Sequence, residues 1–381
     1  MTSAQVRATK PAGAPPPPGS RPIRVMLVDD SVVARTAARQ ALASSPRIDI
    51  VASATNGKSA LDQIAAADPD VVILDIEMPV MGGMEALPQL LKRRPDVKVL
   101  IVSGAEDAAA AITVRALAAG AAEVLLKPTA RGGPDSAERF GAELLRIVLS
   151  LGEAATVAPL SRPVAPRARP QTVQAAARPA AGKVQGPPRA IAIGCSTGGP
   201  RALVEVFGGW SRHGIKQPVF ITQHMPPSFT KVLAEHLRRA AGVDAAEGQD
   251  GETVQPGRIY IAPGDRHMLV RTEQNVQRIH LSDGPPVNFC RPAVDPMFES
   301  LVAAYGGSLL AVILTGMGQD GRDGAVAVAQ GGGRVIAQDE ATSVVWGMPG
   351  AVAKSGVADQ VLALSGIATA IVGIAKKGTS A

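Results

Sequence analysis

Two stretches of this 381-residue chain repeat one pattern, in which short apolar runs alternate with longer stretches of helical spacing. That alternation constrains the fold more than any other feature. Repeated βαβ units force parallel strands, and helices cover the resulting sheet on both faces. In the first stretch IRVMLV, IDIVASA, VVILD, VKVLIVS and AEVLL read as strands, with helices expected near 32–44, 57–67, 84–93, 107–118 and 138–151. In the second, AIAIG, PVFIT, LLAVILT and RVIAQ are strand-like. Residues 243–283 break the pattern: they are rich in Gly and Asp, and RIYIAPG, HMLVRT and QRIHLSD predict an antiparallel hairpin insertion.

Residues 153–188 contain TVAPLSRPVAPRARPQTVQAAARPAAGKVQGPP, which has no helical or strand period and reads as a linker. The expected organisation is a disordered tail at 1–22, a domain at 23–152, the linker at 153–188 and a second domain at 189–375. The six cations Arg162, Arg167, Arg169, Arg178, Lys183 and Arg189 equal the whole net charge of +6, so neither domain is basic and no nucleic-acid partner is expected. The N-terminal PAGAPPPPGS lacks the apolar core of a secretory signal, and its prolines forbid an amphipathic helix. No run of about 18 uncharged apolar residues occurs, so membrane insertion is not expected. Cys195 and Cys290 give no disulfide framework and fit a reducing, cytoplasmic setting.

Ligands of an open parallel sheet sit beyond the carboxyl ends of its strands. In the first domain those ends carry Asp29 and Asp30, Asp75, Ser103 and Lys127. Three crowded carboxylates repel one another unless a hard cation such as Mg²⁺ joins them. Asp75 could then accept a phosphoryl group as an acyl phosphate, with Ser103 and Lys127 on the phosphoryl oxygens.

In the second domain, Gly194-x-Ser196-x-Gly198 follows a strand and opens a helix at Pro200, the context of an exposed nucleophile. His224 ends the strand PVFITQ, and Asp320 follows LLAVILTGMGQ in a Gly-rich turn. All three follow parallel strands, so they can share one sheet edge as a nucleophile, base and orienting carboxylate. Asp323 is a neighbour outside that turn, and His267 is a further histidine that could line the cleft. Cys195 should point into packing, since side chains alternate along a strand. The Gly331–Gly333 run lacks the Lys-Ser/Thr of a phosphate loop and reads as a helix-to-strand turn.

VDDS, LDIEMPVMGG, Ser103 and the Lys127-Pro128 pair resemble the response-regulator receiver pattern. GCSTGGP, QHMPPSFT, RIYIAPGDRHM, ILTGMGQDG and IAQDEATSVVWGMPGAV resemble the CheB family of chemotaxis methylesterases over essentially all of 189–375. The resemblance implies a flavodoxin-like receiver domain plus a doubly wound, mainly parallel α/β methylesterase domain. It implies that Asp75 is the phosphoacceptor, that Asp30, Asp75 and the backbone carbonyl of Glu77 bind Mg²⁺, and that Asp29 assists through water. In the second domain it implies that Ser196 attacks a receptor glutamyl methyl ester, that His224 is base then acid, and that Asp320 orients it. The backbone N–H of Met317 would help hold the oxyanion, and no cofactor is expected there. Glutamine deamidation would follow the same steps. The implied partners are methyl-accepting chemotaxis receptors as substrate and a chemotaxis histidine kinase as phosphodonor. The unphosphorylated receiver is expected to pack over the catalytic cleft. Val124 stands where receivers often carry an aromatic switch residue. The competing readings are a receiver used as a phosphate sink or docking module beside an idle hydrolase, and a general carboxylesterase.

Overall fold

The computed structural model describes residues 21–104, 107–128, 136–156, 186–208 and 210–376. Nearly all of the expected tail and most of the expected linker lie outside these residues.

The first domain runs β1 (Ile23–Val28), α1 (Val32–Leu42), β2 (Ile48–Ala54), α2 (Gly57–Ala67), β3 (Val71–Asp75), α3 (Gly83–Arg93), β4 (Lys98–Ser103), α4 (Asp107–Ala118), β5 (Glu123–Leu126) and α5 (Ser136–Thr156). Its five strands are all parallel, in the order β2-β1-β3-β4-β5. The expected strands are all present. The last helix continues to Thr156, past the expected domain boundary; Leu144, Ile147, Val148 and Leu151 give it a continuous apolar stripe against the sheet.

The second domain comprises β6 (Ala190–Cys195), α6 (Gly199–Phe207), β7 (Val219–Gln223), α7 (Pro227–Ala241), β8 (Ala245–Glu247), β9 (Ile259–Ile261), β10 (His267–Glu273), β11 (Val276–Ser282), α8 (Val294–Tyr305), β12 (Leu309–Ile313), α9 (Arg322–Gln330), β13 (Arg334–Gln338), α10 (Met348–Lys354), β14 (Gln360–Leu362) and α11 (Leu364–Lys376). Seven strands form a parallel sheet in the order β14-β13-β12-β6-β7-β9-β8. Every residue of β6, β7 and β12 is buried, as strands covered on both faces must be.

The insertion expected at 243–283 divides in two. Only β10 and β11 form an antiparallel hairpin, in a sheet of their own. RIYIAPG instead supplies β9, which pairs in parallel with β7 and β8. Its Ile259, Tyr260 and Ile261 are all buried, whereas β10 and β11 show partial alternation. Continuous burial belongs to an interior parallel strand, and alternation to a hairpin with one wet face.

The two domains pack against each other. Ala110, Val114 and Leu117 of α4 share one apolar cluster with Leu203 and Val206 of α6 and Leu233 and Leu237 of α7. The seam reaches the turn after β6: Gly198 N–H donates to the Ala122 carbonyl at 2.8 Å, and the Thr197 hydroxyl donates to Glu123.

Candidate active site and receiver pocket

In the seven-stranded sheet the strand order reverses at β6, with β7 on one side and β12 on the other. The crevice beyond such a reversal is the natural ligand site of an open α/β sheet. Ser196 follows β6, His224 follows β7, and Asp320 lies in the loop after β12. The sharp turn at Ser196 depends on two glycines. Gly198 has φ +77°, and a Cβ there would lie 2.5 Å from Val344. A Cβ on Gly316 would lie 2.9 Å from that of Ser196, so glycine lets the β12 loop close onto the serine. Gln223 fastens the β6 and β7 ends together, its Nε2 donating to the Ser196 carbonyl at 3.0 Å and the His224 carbonyl at 3.3 Å.

His224 Nε2 and Asp320 Oδ2 are 2.8 Å apart. Asp320 is only 2 % exposed. Its Oδ2 also accepts from Val294 N at 2.6 Å, and its Oδ1 from Asp295 N at 3.1 Å, Gly321 N at 3.0 Å and Asn288 Nδ2 at 3.1 Å. Burial pushes the carboxyl upward, but His224 and the α8 N–H groups outweigh it and hold Asp320 below the usual carboxylate range. Burial alone would lower His224; its bonds to Asp320 and Cys290 prevail and push it up to about 10. The second ring nitrogen, Nδ1, faces Cys290 Sγ at 3.4 Å. Among the described residues no hydrogen bond joins Ser196 Oγ to His224.

The five-stranded sheet reverses between β1 and β3, and the acidic residues gather there. One carboxylate oxygen each from Asp29, Asp30 and Asp75 lies within 4.8 Å of the others. Lys127 Nζ reaches Asp75 Oδ2 at 2.7 Å and Asp29 Oδ2 at 3.0 Å. Burial raises Asp75, and the Asp29 charge adds to it, against the opposing pull of Lys127. A single ammonium beside three carboxylates leaves excess negative charge, and a set of hard oxygen donors fits a Mg²⁺ ion. Ser103 is buried at the end of β4, the strand between β3 and β5. Glu77 is exposed in the loop after β3.

The CheB methylesterase family profile matches residues 191–371, and the response regulator receiver domain profile matches 25–133. The protein-glutamate methylesterase/protein-glutamine glutaminase 1 of Paramagnetospirillum magneticum is 46% identical over 375 residues, covering 95% of this chain and 98% of that protein. The protein-glutamate methylesterase/protein-glutamine glutaminase of Azospirillum brasilense is 47% identical over 378 residues, covering 93% and 96%. The chain belongs to this CheB methylesterase family. The crystal structure of the Thermotoga maritima CheB methylesterase catalytic domain covers 50% of this chain and 99% of its own, with 40% identity and a TM-score of 0.47.

Within this CheB-family chain the sequence-predicted residues fall as follows. Ser196, His224 and Asp320 converge on one edge, and Asp323 does not, being exposed and paired with Arg322. Met317 follows Gly316 in the loop that closes on Ser196, and no protein acceptor faces its N–H among the described residues. His267 is buried: it accepts from Ala293 N at 3.2 Å and meets the Pro285 carbonyl at 3.0 Å, fastening the segment before α8. Cys195 is fully buried, as expected, and burial pushes its thiol up. Gly331–Gly333 is the expected turn from α9 to β13. Val124 is a partly buried aliphatic packed on the shared core.

Sequence reasoning missed Asn288, Cys290 and Asp295. The signal available was the polar cluster in VNFCRPAVD between a hairpin and a helix, but only the fold brings it to His224.

Proposed function

We propose that this chain hydrolyses glutamate methyl esters on chemotaxis receptors, and deamidates receptor glutamines, at a rate set by phosphorylation of its receiver. The observation that carries this reading is the His224–Asp320 pair at the same sheet edge as Ser196, in a chain of this family. Ser196 Oγ attacks the γ-carbonyl carbon while His224 takes its proton. With Nε2 committed to Asp320, Nδ1 is the atom that receives it, so Cys290 must yield that position. The backbone N–H of Met317 donates to the oxyanion. Collapse expels methanol, which leaves with the proton from His224. Water then attacks the acyl-serine, His224 again takes and returns a proton, and glutamate is freed. With a glutamine substrate ammonia is the leaving group.

In the receiver, Asp75 accepts phosphoryl from a chemotaxis histidine kinase, and Ser103 and Lys127 contact its oxygens. Asp29, Asp30, Asp75 and the Glu77 carbonyl would hold Mg²⁺, which offsets phosphoryl charge when bound. The receiver contacts at Thr197 and Gly198, the two residues after Ser196, support an inhibited resting state. We place the reaction in the cytoplasm, a reading supported by the two free cysteines. Among the described residues no helix is long and apolar enough to cross a membrane.

The test is methanol release from receptor fragments carrying methyl-glutamate. Ser196→Ala is expected to reduce it by on the order of 10³-fold or more. Release that survives this substitution would refute the reading.

A further inference from the structure

The segment between β11 and α8 makes a tight turn. Val287 and Cys290 exchange backbone hydrogen bonds at 3.0 and 2.9 Å, and the two residues between them have positive φ, 51° at Asn288 and 64° at Phe289. This turn leaves Phe289 in solvent and sends the Asn288 amide inward. There Nδ2 meets Asp320 Oδ1 at 3.1 Å and Asp295 Oδ2 at 2.9 Å. One NH₂ carries two hydrogens, so a single amide can satisfy both carboxylates.

The two carboxylates interlock two helix starts. Asp320, just before α9, accepts the Val294 and Asp295 N–H groups of α8. Asp295, in the first turn of α8, accepts the Gly324 N–H of α9 at 2.7 Å. Each helix N-terminus thus holds the carboxylate of the other, where helix dipoles favour negative charge. Asp295 thereby caps α9, whose own N-cap, Gly321, offers no side chain. Beyond that cap, Asp295 brings a second carboxylate close to Asp320.

We propose that Asp295 and Asn288 are positioning residues for the hydrolysis: Asn288 locks Asp320 against His224, and Asp295 supplies a second charge that favours the imidazolium. The inference rests on the hydrolase reading above. The titratable and charged groups around the cluster are His224, Cys290, Asp320, His267, Asp323, Arg322 and, from α5, Arg146. Burial and the neighbouring Asp320 push Asp295 up to about 6, so it carries its charge above that pH. Only there does it support the imidazolium.

The experiment follows the His224 imidazole by ¹⁵N NMR titration in the full chain, beside methanol release. Asp295→Asn is expected to lower the His224 midpoint by about one pH unit, the scale of one nearby charge. Compared at pH values where the His224 base is free in both chains, kcat should fall by up to about tenfold with KM unchanged. Asn288→Ala, on an exposed turn, leaves helix packing intact and is expected to lower kcat several-fold, again with KM unchanged; it decides the matter should Asp295→Asn fail to fold. An unchanged midpoint and kcat in the folded variants, or a change confined to KM, overturns the proposal. The titration needs no turnover, so a wild-type chain that releases no methanol would sink the hydrolase reading while the midpoint still tests the charge.

Discussion

His224 sits between two partners, Asp320 on Nε2 and Cys290 on Nδ1, and both favour its protonated form. The ion pair therefore has a pH window. His224 rises from 6.5 to about 10 in the fold, so its stabilisation is complete below 6.5 and lost as pH climbs through the raised value. Asp320 is depressed below 3.8, so its share is present above that and lost in acid. His224→Ala leaves a buried carboxylate without its cation, and about 3 kcal/mol of stability should be lost at pH 7. Denaturant unfolding should show that deficit shrinking as pH approaches the raised His224 value. A pH-independent deficit would mean that lost packing, not the pair, is the cause. None of this was legible in the sequence beyond the identities of His224 and Asp320. Asn288 and Asp295 escaped notice because a turn with two positive-φ residues aims the amide, and sequence spacing does not encode that aim.

At the scale of elements, the strand ends did the organising, and they were readable because parallel strands here are continuous apolar runs. Five runs in the receiver and four in the second domain became strands. Short strands were harder: β8, β9 and β14 have three residues each, too few to show a period. β9 was read as part of a hairpin for that reason. The turn from β6 into α6 carries a sharper test. Gly198→Ala places a Cβ against Val344 at a φ of +77°. A cost of about 1–3 kcal/mol in thermal or denaturant unfolding is expected, with esterase activity falling as the Ser196 turn shifts. A variant as stable and active as the parent would show that the turn tolerates a side chain.

Across the whole molecule the receiver touches the nucleophile's own turn, through Ala122 to Gly198 and Glu123 to Thr197. Burial raises the Glu123 carboxyl above 4.5, against the pull of the Thr197 hydroxyl that donates to it across the seam. A phosphoryl mimic such as beryllofluoride with Mg²⁺ should raise methanol release by the full chain and leave a chain beginning at Gly186 unchanged. Equal activation of both would sink the docking account. Val124, on β5, puts a partly buried aliphatic side chain on the core shared by the two domains. Receiver and hydrolase share one polypeptide, so their encounter is unimolecular. Covalently linked partners meet at an effective concentration on the order of millimolar. Dilution cannot release the enzyme and a higher copy number cannot silence it. The closed-to-open ratio is a pure number for each molecule, and the output counts phosphorylated molecules rather than total protein.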